Sequence, residues 1–254
     1  MKKRSLGIVG GMGSQASSWL LDRITRISKA DNDQDYLDII LHSNSKIPDR
    51  TKAIMYGEES PITELKRSFQ LFNLQGVEVA VMACMTAYYY YPDLVDEFNG
   101  KLVHPAEIVL DELKQDARCH GKKTIGLIGS TGMLNSGIFQ RKLNPLGYEV
   151  ITLNAADQEQ FFMHPIYRKE GFKAGVFSAE NRQLFMKQIE ILADNGAEAI
   201  IGACSEIPLI IDKYGITVKD MAVPFIDAFD LLAHKVVDYC YSRNQKNIEH
   251  GVHA

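Results

Sequence analysis

This chain repeats itself. Residues 124–132 (TIGLIGSTG) reproduce the pattern of residues 5–13 (SLGIVGGMG), and Gly126 stands 119 positions after Gly7. Residues 196–204 (GAEAIIGAC) reproduce residues 76–84 (GVEVAVMAC), with Gly, Glu, Ala and Cys recurring in place 120 positions apart. A weaker third pair sets residues 102–113 against 222–233 at the same interval. General likeness among buried strands explains one such pair. It does not explain an apolar strand that ends in Ala-Cys twice at one spacing. Three anchors at a common interval indicate two duplicated lobes of similar size.

Within each lobe the pattern alternates between strand and helix. Residues 5–9 form a short apolar run before the glycine turn at 10–13, and helical periodicity follows over 17–30. Residues 36–42 and 77–83 read as further strands, and 61–75 and 92–98 as helices, the first ending at Gly76. Alternation of this kind implies parallel sheets. The expected fold is α/β: two pseudo-symmetric Rossmann-like lobes with the active site in the cleft between them. The first lobe is expected from residues 1–102 with a returning segment 214–254, and the second from 103–213. The polar, aperiodic stretch 243–254 is expected to fray.

Composition narrows the function. The 254 residues carry 46% hydrophobic side chains and a net charge of -4, with no long run of Lys and Arg, so neither nucleic acid nor an anionic membrane is an expected partner. No apolar run reaches the ~18 residues of a spanning helix. The basic start, residues 1–4, leads into a strand-like run rather than the longer apolar core of a secretory signal, which predicts a cytoplasmic protein. The four cysteines, at 84, 119, 204 and 240, lack C-x-x-C spacing, so no metal site is expected.

Cys84 and Cys204 are the two that recur. Each stands where a buried strand gives way to a loop, which in open α/β sheets is the edge at which ligands bind. Lobes facing one another about a pseudo-twofold would bring two thiols to opposite sides of one ligand. Inverting a carbon needs that arrangement: one group removes a proton from one face and another delivers a proton to the other. A free thiol titrates near pH ~8.5, and the N-terminus of a following helix is expected to lower it. Cys119 and Cys240 have no repeat partner and read as buried filler.

These motifs resemble the aspartate/glutamate racemase family over nearly the whole chain. The resemblance rests on GIVGGMG at 7–13, NSKIPDRT at 44–51, ACMTA at 83–87, GFKAG at 171–175 and GACSEIP at 202–208. It implies a PLP-independent, cofactor-free enzyme, a homodimer acting on a small amino acid or dicarboxylate, with Cys84 and Cys204 as the catalytic pair. It also implies that Arg50 binds a substrate carboxylate, for which its planar fork is suited, and that Lys173 faces an acidic side chain. Thr86, Ser205 and Glu206 flank the cysteines, where they would bind substrate or orient a thiol. Met12 lies in the glycine turn, whose N–H groups suit a carboxylate. Two positions depart from the family pattern. Met85 stands where an amide is usual and Tyr88 where a histidine is, and Met85 suggests a substrate with a less polar side chain than aspartate or glutamate.

Three alternatives share the pattern. Gly11-Met-Gly13-Ser-Gln-Ala16 fits the G-x-G-x-x-A of a dinucleotide site, but the second strand ends in Leu41-His42-Ser43 without the acidic residue such a site wants. A cysteine isomerase or decarboxylase of maleate-isomerase type would use the same scaffold. A catalytically idle carboxylate-binding homologue would keep the cleft alone.

Overall fold

The computed structural model describes residues 3–214 and 223–242. The fraying expected of 243–254 lies outside the described residues. Two four-stranded parallel sheets form the frame. The first has the order β2-β1-β3-β4, from β1 (Leu6–Gly10), β2 (Ile39–Ser43), β3 (Val79–Met82) and β4 (Lys101–Leu102). The second has the order β6-β5-β7-β8, from β5 (Thr124–Ile128), β6 (Glu149–Ile151), β7 (Ala199–Gly202) and β8 (Phe225–Asp227). The two orders correspond strand for strand, as duplication requires.

The repeated residues have repeated jobs. Glu78 accepts from the backbone N–H of Ser5 at 3.2 Å, and Glu198 accepts from that of Thr124 at 2.9 Å. Each carboxylate therefore ties the start of the third strand of its sheet to the start of the first, and a polar residue recurs in an otherwise apolar run. Gly76 and Gly196 end the helices Ile62–Leu74 and Ala179–Asp194 with φ of 64° and 93°, the left-handed region that favours glycine.

The helix expected over 17–30 runs from Ser14 to Ile27 and buries Ala16, Ser17, Leu20 and Ile24 on one stripe. It starts earlier because the Ser17 hydroxyl closes the glycine turn, accepting from Gly11 N–H at 3.0 Å and donating to Gly13 O at 2.7 Å. The helix expected over 92–98 is shorter, with α-helix only at Tyr91–Leu94 and a 3-10 turn at Val95–Glu97. A 3-10 run, Met85–Tyr90, leads directly out of Cys84.

The returning segment divides. β8 pairs with β7 and so completes the second sheet, whereas the expected boundaries place the whole segment in the first lobe; backbone hydrogen bonding fixes its place. The following helix, Ala228–Tyr241, crosses over to pack on Ser14–Ile27, with Arg4 N–H donating to Cys240 O. The helix after β4, Pro105–Gln115, makes the reciprocal crossing: it packs on Ala228–Tyr241 and on the short helix Gln140–Leu143 of the second lobe. Cys119 and Cys240 are buried. No helix among the described residues is long and apolar enough to cross a membrane.

Candidate active site

Both cysteines stand just beyond the carboxyl ends of equivalent central strands, Cys84 after β3 and Cys204 after β7. They line one small pocket, together with Arg50, Thr51, Met85, Thr86, Tyr167, Lys173, Ser205 and Glu206. The cleft is held shut by contacts between lobes. Thr86 and Ser130 share a hydroxyl–hydroxyl hydrogen bond of 2.9 Å, and Ser130 also caps the helix Thr131–Ser136. Gly132 of that helix lies so close to Thr51 that a Cβ there would stand 2.8 Å from the Thr51 Cα.

The cavity has two polar ends. At the first, Arg50 opens the helix Arg50–Tyr56, whose N-cap Asp49 accepts from Lys52 N–H at 3.0 Å. Its guanidinium is pinned from behind, donating to Pro48 O at 2.9 Å and to Met12 O at 3.1 Å. Its Nε is buried with no hydrogen-bond partner among the described residues. Burial opposes the Arg50 charge, but the neighbouring Cys84 sulfur and Asp49 outweigh it, and the pKa lies above its ordinary value.

At the second end, Glu206 gathers three partners. It accepts from the Cys204 thiol at 2.9 Å, from the Ser205 hydroxyl at 3.2 Å and from the Lys173 ammonium at 2.8 Å. Burial opposes the Glu206 charge, and these partners more than offset it, so its pKa falls. Lys173 is likewise held charged by Glu206 against the cost of burial. Cys204 goes the other way. Burial first, and then the Glu206 carboxylate, push its thiol well above the ordinary range. The lowering expected from a following helix is overturned at this cysteine, because burial and the Glu206 carboxylate both favour the protonated thiol. The Lys173 ammonium also lies 5.1 Å from the centroid of the Tyr167 ring.

Of the residues expected to bind substrate or act on it, Met12 alone does not line the cavity. Its side chain is core, and it reaches the site only through the carbonyl that anchors Arg50. Gly11 beside it is explained by packing: it has φ of 87°, and a Cβ there would stand 2.4 Å from the Asn44 backbone. Tyr88 turns away into the core, where its hydroxyl accepts from Met82 N–H at 3.0 Å and its ring meets His104 edge-on. His104 caps the helix Pro105–Gln115 through Nδ1, and burial lowers its pKa to about 4. Thr51 and Tyr167 were missed. Thr51 follows Arg50 and was within reach of the same motif. Tyr167 has no repeat partner and ends a short helix, His164–Tyr167, entered through a π-helical turn at Gln158–Met163, an irregularity that leaves no period to read.

A duplicated parallel α/β protein that closes one small cavity between its halves, with a thiol entering from each half, is the class that fold and site define. The model of the Asp/Glu/hydantoin racemases matches residues 9–236, and the chain belongs to that family. It is 23% identical over 236 residues to the broad specificity amino-acid racemase RacX of Bacillus subtilis (strain 168), covering 91% of this chain and 96% of that one. Among solved structures, the Picrophilus torridus aspartate racemase superposes with a TM-score of 0.72 at 23% identity, covering 93% of this chain and 94% of that one. The glutamate racemase of Francisella tularensis subsp. tularensis SCHU S4 in complex with D-glutamate superposes at 0.63 with 17% identity, covering 94% and 81%.

Proposed function

We propose that this protein racemises an amino acid by two-base proton transfer at Cα, without a cofactor. The observation that carries the reading is that Cys84 and Cys204, equivalent residues of the two lobes, line one cavity. Arg50 takes the substrate carboxylate, and its fixed charge stabilises the negative charge that builds there as the Cα proton leaves. The Cys84 thiolate accepts that proton on one face, and the Cys204 thiol donates its own to the other. The products are the opposite enantiomer, a Cys84 thiol and a Cys204 thiolate, and exchange with water resets the pair. The reverse direction uses the same groups in exchanged roles. Glu206 holds the proton on Cys204 in the resting form, so that this cysteine starts as the acid.

Proton NMR in deuterated buffer with a panel of L- and D-amino acids tests the reading. The expected result is loss of the Cα proton signal together with appearance of the mirror-image amino acid. No exchange with any amino acid would sink it.

A further inference from the structure

Tyr167 and Lys173 come to the pocket on a stretch with little regular structure. A 3-10 turn, Phe172–Ala174, stands between the helices His164–Tyr167 and Ala179–Asp194. A loop fixes a side chain in place only when its own backbone is anchored from outside. The anchor here is Asn181, in the first turn of the helix Ala179–Asp194, which is fully buried and does not line the pocket. Its amide N–H groups donate to Glu170 O at 3.1 Å and to Val176 O at 3.3 Å, the two carbonyls that flank residues 171–175. Lys173 stands midway between them. The Asn181 Oδ1 accepts from the guanidinium of Arg168, the residue that follows Tyr167. Arg168 is steadied in turn by Glu180 and His164, each at 3.1 Å. Asn181 thus commits both of its donors and its acceptor oxygen to this one loop. Backbone bonds complete the loop, from Gly171 N–H to Arg168 O at 2.8 Å and from Val176 N–H to Gly171 O at 3.2 Å. Its far side abuts the first lobe, where a Cβ on Gly175 would stand 2.5 Å from Gln15 Nε2. From this seat Lys173 reaches Glu206 at 2.8 Å and lies over the Tyr167 ring.

We propose that Asn181 is a positioning residue: by clasping Glu170, Val176 and Arg168 it holds the loop so that Lys173 and Tyr167 stay in the wall of the pocket with the two thiols. This inference rests on the racemase reading and adds to it a residue outside the motifs that carry the family resemblance. Asn181 acts through Lys173 and Tyr167, and that gives it a kinetic signature. When the loop leaves its seat the site is incomplete, so the apparent affinity for substrate falls with the seated fraction. Saturating substrate draws the loop back, so kcat is kept. Loss of folded protein does the reverse: it lowers the apparent kcat and leaves KM alone.

The test compares the wild type with two variants of the purified chain. Asn181→Leu keeps a side chain of similar size and removes its hydrogen bonds. Asn181→Asp keeps the contact with Arg168 and sets an oxygen against the two carbonyls. Initial rates with the amino acid of highest kcat/KM should show KM raised by about fivefold or more, the scale of lost hydrogen bonds, with kcat changed by less than about twofold. In a Lys173→Met background the same substitutions should raise KM by less, because part of what the loop delivers is already gone. Hydrogen exchange read by mass spectrometry follows the loop without any turnover. Peptides covering residues 168–178 should exchange at least about tenfold faster in both variants, with those of β5 and β7 unchanged. Thermal unfolding identifies a variant that has not folded, and the other variant then decides. An unchanged KM, a fall in kcat alone, or loop exchange like that of the wild type overturns the positioning role. Absence of turnover by the wild type with every amino acid overturns the racemase reading and the kinetic role with it, while the exchange measurement still decides whether Asn181 holds the loop.

Discussion

Replacing Lys173 with methionine isolates the ion pair at the second end of the cavity. The substitution keeps the length of the side chain and removes its charge, leaving Glu206 buried without its cation. Breaking a fully buried pair by deleting one partner costs about 3–5 kcal/mol. Two features reduce that figure. The Lys173 side chain is 24% exposed, and Glu206 keeps hydrogen bonds from Cys204 and Ser205. A loss of about 2–3 kcal/mol at pH 8 is therefore expected, or roughly 5–10 °C in Tm for a chain of this size. The loss also carries a pH signature. In the wild type the Glu206 pKa is depressed in the folded state, so its contribution is present above the unfolded value of 4.5 and fades as pH falls through the lower folded value. In Lys173→Met burial is left largely unopposed and the folded pKa rises, so the carboxylate destabilises at neutral pH and ceases to do so once it is protonated. The stability gap should be widest near pH 8 and narrow toward pH 5. Urea unfolding at the two pH values measures it. Equal stability at pH 8, or a gap that does not change with pH, would refute the claim that Lys173 neutralises a buried Glu206.

Cys84→Ser and Cys204→Ser should each lower racemisation by about 10²–10⁴-fold, the usual weight of a positioned acid or base. Any residual Cα deuterium exchange should favour opposite enantiomers in the two variants, as NMR of each pure enantiomer would reveal; the same preference in both would contradict opposite-face attack. Glu206→Gln should move the alkaline limb of the pH–rate profile to lower pH, because the carboxylate that helps hold the Cys204 proton is gone. Gly11→Ala should destabilise the fold by at least about 2 kcal/mol in denaturant titration, from the left-handed backbone and the contact with Asn44 together; a neutral outcome would mean that the turn is not constrained as described.

What could be read in the sequence follows how regular each part is. The two sheets were readable because strands of period two and helices of period 3.6 recur at one interval, and a duplicated strand that ends in Ala-Cys singles out two residues among four cysteines. Arg50 and Lys173 were reachable only through motif resemblance, since a lone Arg after a proline turn and a lone Lys in a glycine-rich loop leave no physical trace of a cavity. What the sequence concealed is long-range. Tyr167 reaches the cavity by way of a π-helical turn, and Lys173 meets Glu206 across 33 positions of chain. Periodicity reports which face of an element is apolar. It does not report which distant carboxylate neutralises a lysine. The exchange of helices between lobes was hidden for the same reason, because Pro105–Gln115 and Ala228–Tyr241 have similar apolar stripes whichever sheet they cover.

Duplication gave the two lobes matching cysteines but not matching surroundings, and the difference has a kinetic consequence. Cys84 lies beside Arg50, whereas Cys204 donates to Glu206. The Glu206 carboxylate thus favours the singly protonated form of the free protein with the proton on Cys204. Enantiomers are equal in free energy in water, so detailed balance forces kcat/KM to be the same in both directions at every pH, however uneven the site. The asymmetry can emerge only in kcat and KM separately. An enantiomer that binds the minor form has its apparent affinity weakened by that form's population, and an equal kcat/KM then requires a proportionally higher kcat. The enantiomer whose Cα hydrogen faces Cys84 should therefore show both the lower KM and the lower kcat. Glu206→Gln removes part of the bias and should bring the two KM values closer together. Initial-rate measurements on each pure enantiomer, in wild type and variant, decide the matter. Equal KM values in the wild type, or a split that Glu206→Gln leaves untouched, would mean that the Glu206 carboxylate does not set which cysteine carries the proton.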